Sequence, residues 1–240
     1  MNARWLPYVI AHGLVDELVP FASAAEQVLE LDRLGYRHRF TVYPFEDHIA
    51  WVFQDKFEDP VAHMGTGLRQ ADPGHITFAW YPQLVRSELG IGPHQMWWLS
   101  ELTADPAVTA RRGAVAEVDA RSYARPDPTH TVRHRRGVIL NFDPTPGLYS
   151  ELDWQVGPPV APLPYLTLRL TGVASLTVDV ARAGLAALQA STITVATDTA
   201  AQITLGGLPA GFVVRIDGQP AGATVAVPAG RHHITLRVDG

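Results

Sequence analysis

Between Tyr8 and Tyr43 the hydrophobic period changes twice, and this stretch restricts the fold more than any other. Val9 and Ile10 lie in an apolar run closed by Gly13, which suits a strand buried in a parallel sheet. Pro20 can open a helix at its first position and Gly35 can close it. Between them Phe21, Ala24, Ala25, Val28, Leu31 and Leu34 supply an apolar stripe at helical spacing. Arg39 to Tyr43 reads as the next strand. A parallel pair needs a long crossover, and this strand–helix–strand run has the length for one. Asp16 and His48 then fall in the loops just after the two strands. In open α/β sheets, ligands bind outside those carboxyl ends.

A carboxylate and an imidazole on neighbouring loops can form the acid–base half of a catalytic triad. The acid fixes the tautomer of the imidazole and stabilises it when it is charged. In α/β-hydrolases the order is Ser, then Asp or Glu, then His, with the Ser in a G-x-S-x-G elbow. Asp16 and His48 have that order, but only fifteen residues precede Asp16 and no G-x-S-x-G occurs. The seven serines (Ser23, Ser87, Ser100, Ser122, Ser150, Ser175 and Ser191) all lack an elbow, and Ser23 falls within the predicted helix. Glu17 is the rival acid. His12 is expected to serve the turn and the core rather than proton transfer.

His12-Gly13, Asp16, Val19-Pro20, the helix end at Leu31 to Gly35, Tyr43-Pro44 and His48 together resemble the C-terminal end of the prolyl oligopeptidase-like (S9) family. The resemblance implies that Asp16 is the triad acid and His48 the triad base. It also implies hydrolysis of a peptide or ester substrate. The family usually has Gly just before the His, where this chain has Asp47. Asp59-Pro60, Met64-Gly65-Thr66 and Val118 to Ser122 are similar to secreted actinobacterial members with a C-terminal β domain. That likeness implies an extracellular location.

Hydrophobic residues make up 47% of the 240 residues and charged residues 18%, as in a globular protein with a real core. A net charge of -5 without a Lys/Arg run argues against nucleic acid or an anionic membrane as partner. The absence of cysteine excludes disulfides and thiolate chemistry, and no apolar run is long enough for a membrane span. No cofactor is expected. His130 and His134 are four apart, but neighbouring prolines and arginines and the lack of a nearby acid argue against a metal site. His232-His233 sits at a strand start, where alternate side chains point to opposite faces.

From about Asp72 onward strand-like runs dominate. They lie at His75 to Trp80, Gln95 to Leu99, Ala114 to Ala120 and Gly137 to Phe142, then at seven further short runs from Leu166 to Val238. Residues 49–58 can continue as a helix. Proline cannot donate to a sheet ladder, so Gly157 to Pro164 is a linker or a crossing loop. Asp217-Gly218 signals a hairpin turn. The predicted fold class is α/β followed by all-β. A partial α/β-hydrolase sheet occupies residues 1–71 and an antiparallel β-sandwich residues 72–240, with division near 157–164 left open. Trp80-Tyr81, Trp97-Trp98 and Trp154 read as packing residues or as a binding platform.

Two functional expectations follow. In the first, the chain is the C-terminal portion of a serine hydrolase, supplying the triad Asp and His to a nucleophile in a missing N-terminal portion, and is inactive alone. In the alternative, a decayed hydrolase edge supports a non-catalytic β-sandwich binding module.

Overall fold

A computed structural model describes residues 4–49, 57–65, 70–140 and 146–239. Strand β1 (Tyr8–Gly13) leads through helix α1 (Phe21–Leu34) to β2 (His38–Tyr43), and helix α2 (Glu58–Gly65) follows. Next come β3 (His75–Trp80), β4 (Gln95–Met96) and β5 (Leu99–Ala104), the short helix α3 (Pro106–Ala110), and β6 (Ala116–Ser122). A long hairpin pairs β7 (His130–Ile139) with β8 (Gly147–Val156). The remaining strands are β9 (Tyr165–Thr171), β10 (Val173–Asp179), β11 (Ala190–Thr197), β12 (Ala201–Gly206), β13 (Phe212–Ile216), β14 (Gln219–Ala221), β15 (Thr224–Val227) and β16 (Gly230–Val238).

The chain forms two compact units, one from Ala3–Gln70 with Pro128–Pro158, the other from Ala71–Asp127 with Pro159–Gly240. Among the described residues the chain passes between the units near residues 71, 128 and 159. The expected crossing loop has no regular structure over residues 157–163 and carries the last of them.

In the first unit β1 and β2 pair in parallel, from Tyr8 opposite His38 to Gly13 opposite Tyr43. Helix α1 begins just after Pro20 and ends at Gly35, whose φ of 66° is the left-handed conformation that glycine adopts without strain. Ala24 and Val28 of α1 are buried with Phe40, and Ile10, Phe21 and Val42 pack on this cluster. The sheet order is β1-β2-β8-β7, with β8 antiparallel to β2. The β8 run Gly147–Val156 contains three charged or amide residues that hide its strand period. One of them, Glu151, is buried because Arg39 holds it at 3.0 Å and Arg135 at 2.7 Å. A buried carboxylate is tolerated when it is paired in this way. The helix expected over residues 49–58 lies mostly outside the described residues, and Phe142 lies outside them as well.

The second unit contains a five-stranded sheet, order β15-β12-β10-β5-β4, and a seven-stranded sheet, order β14-β13-β16-β11-β9-β6-β3. Alternate residues of both sheets enter one core. Leu166, Leu168, Ile193 and Val195 come from the larger sheet, and Leu176, Val178 and Ile203 from the smaller. Each fully buried side chain of this size contributes roughly 1.5–3 kcal/mol. The sandwich is mixed rather than purely antiparallel, because β9 with β11 and β10 with β12 run parallel. The cause is topological. From β9 to β12 successive strands alternate between the two sheets, so strands two apart in sequence become neighbours pointing the same way. Among the described residues no helix is long and apolar enough to cross a membrane.

Candidate active site

The two loops that leave the parallel pair are drawn together by their backbones. The Leu14 N–H donates to the Tyr43 carbonyl at 2.9 Å, and the Val15 N–H to the Glu46 carbonyl at 3.2 Å. Gly13 makes this approach possible. A Cβ there would collide with the carbonyl oxygens of Glu46 and Asp47 and lie 2.6 Å from the Glu46 carbonyl carbon.

The closure brings Asp16 to His48. Asp16 Oδ2 lies 3.0 Å from His48 Nδ1, while Oδ1 accepts the N–H groups of Leu18 and Val19 at 2.9 Å each. The Asp16 side chain is 5% exposed and that of His48 is 47% exposed. Removal from water pushes the Asp16 carboxyl upward, but hydrogen bonds from Val19, His48 and Leu18 outweigh it and hold the pKa below the usual 3.8. Asp16 is therefore ionised at neutral pH and accepts the Nδ1 proton of His48. That bond fixes the tautomer and leaves Nε2 with its lone pair.

His12 lies beneath this pair. Its Nδ1 is 2.6 Å from the Gly13 carbonyl, and since a carbonyl only accepts, Nδ1 carries the proton. Its Nε2 is 3.8 Å from Asp16 Oδ2, and its ring meets Phe21 edge-on at 5.6 Å. Asp47, where the resemblance calls for Gly, accepts the Ile49 N–H at 3.1 Å and shapes the turn after His48. None of the seven serine hydroxyls lies within hydrogen-bond distance of the imidazole among the described residues.

Two further histidine–aspartate pairs lie in the second unit, and no spacing in the sequence singles them out. His75 Nε2 meets Asp119 Oδ1 at 2.7 Å, joining residues that face each other diagonally across β3 and β6. His232 Nδ1 meets Asp217 Oδ2 at 2.7 Å, and Asp217 also accepts the His233 N–H. Neither resembles the Asp16–His48 arrangement. His75 spends Nε2 on its acid, and the His232 Nε2 is buried with no hydrogen-bond partner.

His130 and His134 do not converge on a metal. They sit on β7, His130 stacked on Trp154 at 4.3 Å and His134 at 3.9 Å from Asp32. Among the described residues no group of three potential ligands is placed to hold a metal ion. The tryptophans pack: Trp98 is buried and donates to the Pro73 carbonyl, Trp80 stacks on Phe78, and Trp154 donates to the Gly35 carbonyl. Tyr81 is half exposed. No family model, curated protein or solved structure matches the chain.

Proposed function

We propose that this chain is the C-terminal portion of a serine hydrolase, an S9-like peptidase or esterase, to which it supplies the triad acid Asp16 and base His48. The observation that carries the reading is the 3.0 Å contact from Asp16 to His48 Nδ1, at the carboxyl ends of two adjacent parallel strands. The acid is ionised and anchored, its contact is with Nδ1, and the His48 side chain is 47% exposed. A serine Oγ from outside this chain would attack the substrate carbonyl while His48 Nε2 takes its proton. The tetrahedral intermediate would then collapse as the same nitrogen protonates the leaving amine or alkoxide. Water would hydrolyse the acyl-enzyme by the same route in reverse, with Asp16 remaining a carboxylate throughout. Because β1 is the edge strand of its sheet, a strand bearing the nucleophile has a parallel neighbour on which to add.

The test is to label the native protein in its source with a serine-directed fluorophosphonate and identify peptides of this chain in the labelled species. Label is expected on a species heavier than 26.2 kDa, or on a complex containing the chain. His48→Ala should abolish that labelling while the protein stays folded. An unlabelled 26.2 kDa product, or undiminished labelling of His48→Ala, would overturn the reading in favour of a binding module.

A further inference from the structure

Strand β5 carries a glutamate where its backbone geometry suits glycine. Against β10, Ser100 pairs with Thr177 and Thr103 with Ser175, so two residues, Glu101 and Leu102, face Leu176 alone. This is a β-bulge, a device that bends a strand and re-aims a side chain. Glu101 holds the left-handed conformation at φ 51°, and Trp97, in the turn before the strand, holds it at φ 58°. A left-handed first position in such a bulge ordinarily belongs to glycine, because a side chain there is strained. Strained residues of this kind gather at ligand sites. The Glu101 side chain is exposed and, among the described residues, forms no hydrogen bond or ion pair.

Two adjoining cavities of the second unit lie here. One, of about 410 Å³, sets Glu101, His94 and Thr103 against Trp80, Val85 and Leu102. The other, of about 400 Å³, is walled by Phe78, Trp80, Tyr81, Leu84, Ile91 and Met96. The two share Trp80, Val85, Gly92 and Pro93. Tyr81, Leu84 and Ile91 are exposed despite their size. Histidine aside, Glu101 is the one charged residue in the two linings. On the loop between β3 and β4, Arg86 turns a guanidinium nitrogen to the carbonyls of Gln83 and Val85, and Glu88 is a second acid.

We propose that these cavities bind a small organic ammonium ion, with its charged head at Glu101 and its apolar body against Trp80 in the cavity beyond. Charge selects the head, since an anion would meet a free carboxylate and no Lys or Arg in either lining. The walls select the body. A pyranose carries hydroxyls all round its ring and would leave some unpaired against Phe78, Leu84, Ile91 and Met96. An ammonium on an apolar body has one polar end for one carboxylate. Trp80, stacked on Phe78 at 5.5 Å, adds the kind of aromatic surface that attracts organic cations. The proposal does not depend on the hydrolase reading.

Saturation-transfer NMR on the full chain at about pH 8, above the ordinary imidazole range, tests it. The probes are phenethylamine, its neutral analogue phenethyl alcohol, the anion hydrocinnamate, and methyl glucoside. Saturable binding is expected for the amine, about fivefold weaker binding for the alcohol, and none for hydrocinnamate. Glu101→Gln should bring the amine to the level of the alcohol and leave the alcohol unchanged. Glu101→Gly should lose the same preference while raising the thermal midpoint, because glycine adopts the left-handed conformation freely. A Cβ at Gly92 would lie 3.2 Å from Val85 Cγ1 and 3.5 Å from His94 Nε2, so Gly92→Val should crowd the shared wall and weaken amine and alcohol alike. An unchanged circular dichroism spectrum will verify the fold of each variant. Amine binding that is not saturable, or is undiminished in Glu101→Gln or Gly92→Val, would overturn the site. A lower thermal midpoint for Glu101→Gly would refute the strain argument. Tighter binding of hydrocinnamate or methyl glucoside than of the amine would overturn the choice of ligand.

Discussion

Replacing Gly13 with alanine tests whether close approach of the two loops, rather than the two functional residues alone, builds the Asp16–His48 pair. The added methyl would sit 2.6 Å from the Glu46 carbonyl carbon, whereas ordinary contact begins near 3.4 Å. The loops must part by the difference, at least 0.8 Å, because the obstructing atoms are backbone and cannot rotate away. The Leu14 and Val15 hydrogen bonds, now 2.9 and 3.2 Å, would stretch to about 3.7 and 4.0 Å, beyond useful length. Each is worth about 1 kcal/mol, so local closure should weaken by about 2 kcal/mol. That corresponds to roughly a thirtyfold rise in the opening equilibrium. Hydrogen exchange read by mass spectrometry on peptides spanning residues 8–19 should show this loss of protection, while β9 to β16 remain unchanged. Gly13 also sits at the end of β1, so the change should not spread along the ladder. If Gly13→Ala folds and protection of Leu14 and Val15 stays within about threefold of wild type, the packing argument is wrong.

The remaining expectations concern the acid and the core. Since the folded pKa of Asp16 lies below its unfolded value, its contribution to stability is complete above about 3.8 and is lost as pH falls through the folded value. The difference in urea midpoint between wild type and Asp16→Ala should therefore shrink as pH drops below 4; a constant or growing difference would contradict the assignment. Leu168 is fully buried in the sandwich core, so Leu168→Ala should lower the stability of that unit by about 2–5 kcal/mol, seen as a depressed thermal transition. A loss under about 1 kcal/mol would mean the site collapses around the deletion or is less packed than its burial indicates.

How far the chain could be read from its residues depended on whether neighbours in space were neighbours in sequence. The β1–α1–β2 run was legible because its stripe, its closing Gly35 and both apolar strands lie within 36 residues, and each element declares its own period. Asp16 and His48 were legible for the same reason: each follows a recognisable strand. The hairpin β7–β8 was not. Its exposed outer strand alternates nothing, and the buried Glu151 reads as polar until Arg39, distant in sequence, is placed against it. The crossings between the units are equally non-local, set by which strand completes which sheet edge. The bulge at Glu101 shows the same limit within a single strand. The run Gln95 to Leu99 reads as a strand, but nothing in it announces that the ladder slips two residues later. The slip is fixed by Ser175 and Thr177 of β10, which are distant in sequence. A bulge belongs to the pairing of two strands and not to the period of either, so a charge that it re-aims cannot be read from one strand alone.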